Sequence, residues 1–288
     1  MSVGDDGEST NVSVAVTGAT GEMGRAVLDA AGAREDVSVA FAVNRDAPRD
    51  PAESVAGVRV EPAREFDRLL ADRSPDVVVD FTGPASSQNY VAVAAEAGVA
   101  SVVGTTGFDD EGEAALRELA EYAPVLKASN FGRGVQALVS AVESAVADLP
   151  GYDVEVTETH HNRKRDAPSG TAKTILEAIE GARDGGTADG QRVHGREGEA
   201  PREAGEIGVH ARRAGTITGE HEVLLAGNHE EVRLTHRAED RGVFAEGALD
   251  AAVWLAGREP GWYDFADVVD GAESNDAEAT NDTGGDDR

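Results

Sequence analysis

The stretch "VSVAVTGATGEMGRAVLDAAG", residues 12–32, joins an apolar run of β-formers to a glycine-punctuated turn and an amphipathic segment ending in glycine. The pattern predicts a buried strand over Val12–Thr17 and a helix that stops at Gly32. Gly18, Gly21 and Gly24 lie between and just inside the two. Glycine permits the tight turn and lets backbone approach a ligand, and the helix start offers N–H groups with partial positive charge. Strand, turn and helix in this order fit a dinucleotide pyrophosphate, although the G-x-x-G-x-x-G spacing differs from the commonest fingerprint. A purely structural turn is the competing reading.

Outward from this unit the alternation continues. "VSVAFAV", "DVVVDF", "VASVVG" and "PVLKA" read as strands, with "REFDRLLAD", "SQNYVAVAAEAG" and "EAALRELAEYA" as helices between them. Such alternation predicts an α/β domain, a Rossmann-like doubly wound parallel sheet covered on both faces. The rhythm changes at residue 131. Val135, Leu138, Val139, Val142 and Val146 recur at helical spacing, and "YDVEVTET", "IGVHARR", "EHEVLLAG" and "EEVRLTH" then follow as strand candidates. These predict a second α+β domain built on an open mixed sheet. Residues 183–206, rich in glycine and charge, read as a long loop. The expected domains are 11–130 with 241–270, and 131–240, between acidic disordered tails at 1–10 and 271–288.

Composition narrows the chemistry. The chain has 288 residues, no cysteine and a formal net charge of -29. Absence of cysteine excludes thioester and thiohemiacetal mechanisms. The tails hold only nine of the 55 acids, so the acidity belongs to the whole surface and disfavours a nucleic-acid partner. Only Lys127, Lys164 and Lys173 are lysines, a pattern that resembles proteins of halophiles working in molar salt. No apolar run is long enough to span a membrane, and "MSVGDDGEST" lacks the features of a signal peptide, so a cytoplasmic protein is expected.

Ligands of an open parallel sheet lie outside the carboxyl ends of its strands. Asn44 and Arg45 follow the second strand there, where an amide beside a guanidinium suits a 2′-phosphate and hence NADPH. Asp46 could instead serve a 2′-hydroxyl. "DFTGP" (80–84) and "GTTGF" (104–108) end two further strands and are candidates to line a nicotinamide pocket.

In so acidic a chain, "ETHHNRKRDAPSGTA" (158–172) gathers two histidines and several cations just before a helix start at Gly170. Adjacent histidines on extended chain point apart, and the flanking cations repel a metal, so no metal site is expected. The cations and helix N-terminus converge on an anion, and histidine has a proton affinity suited to acid–base work. A basic surface loop is the alternative.

This stretch closely resembles the signature of the dihydrodipicolinate reductase family. "GATGEMG", "DFTGP", "GTTGF", "ASNFGRGV", "GEIGVHARRAGTITGEHEVLL" and "AEDRGVFAEGA" resemble that family's other segments, in its order. The resemblance implies NAD(P)H-dependent reduction of 4-hydroxy-2,3,4,5-tetrahydrodipicolinate to 2,3,4,5-tetrahydrodipicolinate with loss of water, in lysine and diaminopimelate synthesis. It implies His160 as acid/base and Lys164 as substrate ligand and proton donor, with His161, Gly170 and Thr171 holding the substrate. Implied cofactor contacts are Gly18, Ala19, Thr20, Gly21, Glu22 and Met23 in the turn, then Arg45. Gly104, Thr105 and Thr106 follow, and Ala128, Ser129, Asn130 and Phe131 complete the set. NADPH is expected to be the preferred cofactor and NADH a possible one, because Asn44 departs from the family pattern, in which members that accept NADH well often carry an acid there. A homotetramer, and closure about hinges near Phe131 and Arg241, are further implications. Two other classes compete: another Rossmann oxidoreductase, and a dinucleotide sensor without turnover.

Overall fold

The computed structural model describes residues 11–47, 54–183 and 191–271. The expected disordered tails lie outside these ranges except for Gly271, which instead closes a helix over 265–271. Two compact units are present, one running to Phe131 and resuming at Phe244, the other spanning Gly132–Val243.

The first unit contains β1 (Val12–Thr17), α1 (Glu22–Gly32), β2 (Val37–Asn44), β3 (Ser54–Val55), β4 (Val58–Pro62), α2 (Phe66–Arg73), β5 (Val77–Asp80) and α3 (Pro84–Glu96). β6 (Ala100–Val103), α4 (Asp110–Leu119) and β7 (Pro124–Lys127) follow. Its eight-stranded sheet has the order β13-β7-β6-β5-β1-β2-β4-β3, where β13 is Gly261–Tyr263. All pairings are parallel except β3 with β4. The central strands β5 and β6 are buried at every position, as a sheet covered on both faces demands. Val12, Val14 and Val16 join one core with α1 and α7 (Gly242–Leu255), while Ala15, Phe41, Val43 and Val78 face the other with Phe66, Leu69 and Leu70 of α2. Helix starts are set locally: Pro84 opens α3, and the Asp109 carboxylate accepts the Gly112 N–H at 2.8 Å to cap α4. β5 lies on one side of β1 and β2 on the other, so chain order reverses direction at β1.

The second unit comprises α5 (Arg133–Asp148), β8 (Asp153–His160), α6 (Gly170–Ala182), β9 (Arg192–His194), β10 (Ile207–Arg213), β11 (Gly219–Ala226) and β12 (Glu231–Ala238). The mixed sheet runs β12-β11-β8-β10-β9, with β8, β9 and β10 parallel and β11 antiparallel to its neighbours. β9 falls inside the segment expected to be a featureless loop. Three residues with no alternating apolar pattern gave no strand signal, and pairing with β10 makes the strand.

Alternation places Val154 and Val156, Ile207 and Val209, and Val223 and Leu225 on one face, against Leu138, Val142, Val146, Ile175, Leu176 and Ile179 of the two helices. The opposite face carries polar side chains, including Glu222 and Arg233 paired at 3.2 Å. Among the described residues no helix is long and apolar enough to cross a membrane.

Candidate active site

In the first unit, Gly18 follows β1 with φ +75°, and a Cβ there would be driven into the carbonyl of Phe81. A Cβ at Gly24 would meet the carbonyl of Gly18, so the turn and helix α1 approach as closely as backbone allows. The N-cap Gly21 has no side-chain capping bond. Beside this turn lies a cleft of about 330 Å³, lined by Gly18, Thr20, Gly21, Asn44, Arg45, Asp46, Phe81, Thr82, Gly83, Ser86 and Tyr90. It gathers the carboxyl ends of β1, β2 and β5 where chain order reverses, the place where such sheets take nucleotides.

Of the predicted cofactor residues, Gly18, Thr20, Gly21 and Arg45 line this cleft; Ala19, Glu22, Met23, the Gly104–Thr106 stretch and the Ala128–Phe131 stretch do not. Arg45 is open, its side chain 89% exposed and only 3.8 Å from the equally open Asp46. Thr20, Gly21, Glu22, Met23, Thr106, Ser129 and Asn130 are exposed or half-buried. The side chains of Ala19, Thr105 and Phe131 are buried, so only their backbone can meet a ligand. Phe131 stacks edge-on with Phe81 and Phe265, and Gly104 leaves room for the Phe81 ring.

Thr105 joins a polar knot around Asp80. Asp80, fully buried at the end of β5, accepts the hydroxyls of Thr17 (2.5 Å), Thr82 (2.7 Å) and Thr105 (2.6 Å). Thr105 Oγ1 also accepts the Thr82 N–H at 2.9 Å. One carboxylate thus ties together the ends of β1, β5 and β6. The signal was a buried acid ending an apolar strand, with threonines at two other strand ends.

In the second unit, the apolar face of the sheet becomes polar toward one end without changing parity. β8 continues from Val154 and Val156 to Glu158 and His160, and β11 runs back from Val223 to His221 and Gly219. His221 pairs in register with Glu158, and Arg213 of β10 with His160. Glu158 is fully buried. Its Oε2 accepts from His160 Nδ1 (2.6 Å) and Arg213 Nη1 (2.7 Å), while Oε1 accepts from Arg213 Nη2 (2.7 Å) and the Ser169 N–H (3.1 Å). Burial alone would raise this carboxyl, but the bonds from His160 and Arg213 hold it down at about 2. His221, buried and beside His160 with ring centroids 5.3 Å apart, is pushed down to about 4, chiefly by burial and then by the His160 charge. It is therefore neutral at neutral pH.

Ser169 caps α6: its hydroxyl accepts the Ala172 N–H at 3.2 Å and lies 3.1 Å from His221 Nε2. Gly170 and Thr171 begin that helix, at its positive end. Lys164 Nζ lies 3.0 Å from Asp166, whose carboxyl is held low by this bond despite burial. An ammonium has three protons, so Lys164 can bind a second anion as well. His161, one residue past β8, is half-buried. The structure therefore brings His160, Lys164, Gly170 and Thr171 into one unit, and adds Glu158, Ser169, Arg213 and His221. Their sequence signal was parity: an acid and histidines extending an apolar period-two stripe.

Residues 12–131 match the dihydrodipicolinate reductase N-terminus and residues 134–269 the dihydrodipicolinate reductase C-terminus. The chain belongs to the dihydrodipicolinate reductase family. Among its relatives, the 4-hydroxy-tetrahydrodipicolinate reductase of Natronomonas pharaonis is 56% identical over 259 residues, covering 90% of this chain and 100% of the relative. That of Haloarcula marismortui is 53% identical over 263 residues, covering 89% and 98%. A solved structure of dipicolinate-bound dihydrodipicolinate reductase from Paenisporosarcina sp. TG-14 superposes with a TM-score of 0.68 at 25% identity, covering 88% of this chain and 97% of that one. The two-part architecture of this chain is thus that of the dihydrodipicolinate reductase family.

Proposed function

We infer that the protein is an oxidoreductase that reduces 4-hydroxy-2,3,4,5-tetrahydrodipicolinate to 2,3,4,5-tetrahydrodipicolinate with loss of water, using a reduced nicotinamide dinucleotide. It acts in cytoplasmic lysine and diaminopimelate synthesis. The observation that carries this is the buried Glu158–His160 pair, set in one unit with Lys164 and the start of α6, in a chain matching the family along both units.

The first unit is the dinucleotide-binding domain. The turn Gly18–Met23 and the carboxyl ends of β5, β6 and β7 would hold the dinucleotide; the close-packed glycines and the cleft beside them support the turn and the end of β5, and the family resemblance supports the ends of β6 and β7. Bound there, the dinucleotide supplies the hydride. Arg45 favours NADPH over NADH, because its open guanidinium can bond a 2′-phosphate and is only weakly engaged by Asp46.

The second unit, 132–243, is the substrate-binding domain. The substrate carries two carboxylates, and Lys164 and the backbone N–H groups at Gly170 and Thr171 are separate anchors for them, with His161 alongside. His160 supplies the proton that quenches the electron density left on the ring after reduction. Desolvation of the cluster strengthens each of these interactions. Assembly into a homotetramer is proposed from the family resemblance alone, and sedimentation in molar salt would test it.

The deciding assay follows loss of reduced-nicotinamide absorbance in molar potassium chloride, with substrate formed in situ from pyruvate and aspartate semialdehyde. Substrate-dependent oxidation that collapses in His160→Gln and Lys164→Ala supports the assignment. Dinucleotide binding without turnover by folded protein favours the sensor reading and refutes this one.

A further inference from the structure

We propose that Glu158 and Arg213 are positioning residues that act together on His160. Glu158 fixes which imidazole nitrogen faces the substrate, and Arg213 sets how firmly that imidazole holds its proton. The proposal deepens the functional reading above and rests on His160 being the proton donor.

Glu158 receives four donors, two from the guanidinium and one each from His160 Nδ1 and the Ser169 N–H, so both oxygens are fully engaged as acceptors. A carboxylate so engaged has no proton to give. His160 Nδ1 must therefore carry hydrogen in both protonation states of the ring, and the group that gains and loses a proton is Nε2. Nε2 lies on the Gly219 side, 3.2 Å from where a Cβ at that residue would stand. A side chain there would crowd the atom that has to meet the substrate.

Charge gives the second half. A carboxylate alone against His160 would stabilise its cation and make the acid reluctant. Arg213 cancels most of that charge at two oxygens, each 2.7 Å away, so the triad is neutral when His160 is neutral. Among the described residues, the other titratable groups placed beside His160 or its neighbour His221 are Lys164, with its partner Asp166, and His236 on β12. His221 and His236 are both disfavoured as cations by burial, and Lys164 is paired with Asp166, so Glu158 and Arg213 are the charges nearest to deciding the outcome.

A purely structural role is the alternative, since Arg213 also bonds the Asp166 carbonyl at 2.6 Å and Glu158 anchors the Ser169 backbone. The two roles differ in the sign of a pH effect. If His160 must be protonated for turnover, kcat falls on an alkaline limb. Glu158→Gln removes the anion, so the limb should move to lower pH and kcat should drop by roughly 10²-fold, with KM for substrate changed much less. Arg213→Met leaves the anion uncompensated, so the limb should move to higher pH. Folding of both variants is checked by circular dichroism in molar potassium chloride. Limbs that stay in place, or move in the same direction, overturn the proposal.

Nitrogen NMR of isotope-labelled histidine in the wild-type holoenzyme provides a readout that no unfolded variant can spoil. Neutral His160 should carry its proton on Nδ1, and a proton on Nε2 overturns the assignment. This measurement separates the two inferences. Failure of turnover with an Nδ1 proton counts against the substrate while the positioning role stands, whereas normal turnover with an Nε2 proton does the reverse.

Discussion

Replacing Glu158 by glutamine should produce a stability deficit that depends on pH in a specified direction. The carboxyl is held at about 2, against an ordinary value of 4.5. A displacement of roughly 2.5 pH units corresponds to about 3–4 kcal/mol, because each unit is worth ~1.4 kcal/mol. A depressed carboxyl stabilises the fold when ionised. Its contribution is fully present above the unfolded value of 4.5 and is lost as pH falls toward about 2. Urea unfolding of both proteins, followed by circular dichroism in molar potassium chloride, should show the variant weaker by about 3–4 kcal/mol at neutral pH. The gap should close as both are acidified. A comparison of two proteins cancels the titration of the many other acids. A gap that is independent of pH, or that widens on acidification, would refute the reasoning.

Three other expectations follow from the first unit. Arg45→Ala should raise the KM for NADPH far more than that for NADH, and parallel kinetics with the two cofactors check it; equal effects sink the 2′-phosphate assignment. Asp80→Asn removes the charged acceptor shared by Thr17, Thr82 and Thr105 and should cost about 1–3 kcal/mol while weakening dinucleotide binding, measured by urea unfolding and fluorescence titration. Gly24→Ala drives a methyl into the Gly18 carbonyl, which belongs to backbone and cannot swing aside. It should destabilise the unit by about 1–3 kcal/mol and lower dinucleotide affinity, and unchanged affinity in a folded variant would argue against the turn as the binding site.

The β/α alternation of the first unit was legible because it is local: a strand buried on both faces needs a continuous apolar run, as in Val77–Val79, and a helix needs its own period. The tight turn at Gly18 was legible for the same reason, since its backbone angle is a property of one residue. His160, Lys164, Gly170 and Thr171 lie within twelve consecutive residues, so sequence could group them before any fold was known. Sequence could also see that Glu158 and His160 share a side of one strand. It could not see that His221 and Arg213 stand opposite them, because register between strands 50 or more residues apart is settled by which neighbours the sheet accepts. Asp80 is the same case in the other unit, an acid whose donors come from β1, β5 and β6 and meet only when those strands pair. What the sequence by itself determined was the list of chemically capable groups and the local shape around each. The tertiary structure decided which of them share a proton, a charge or a hydrogen bond, because those depend on distances that only the packed sheet sets.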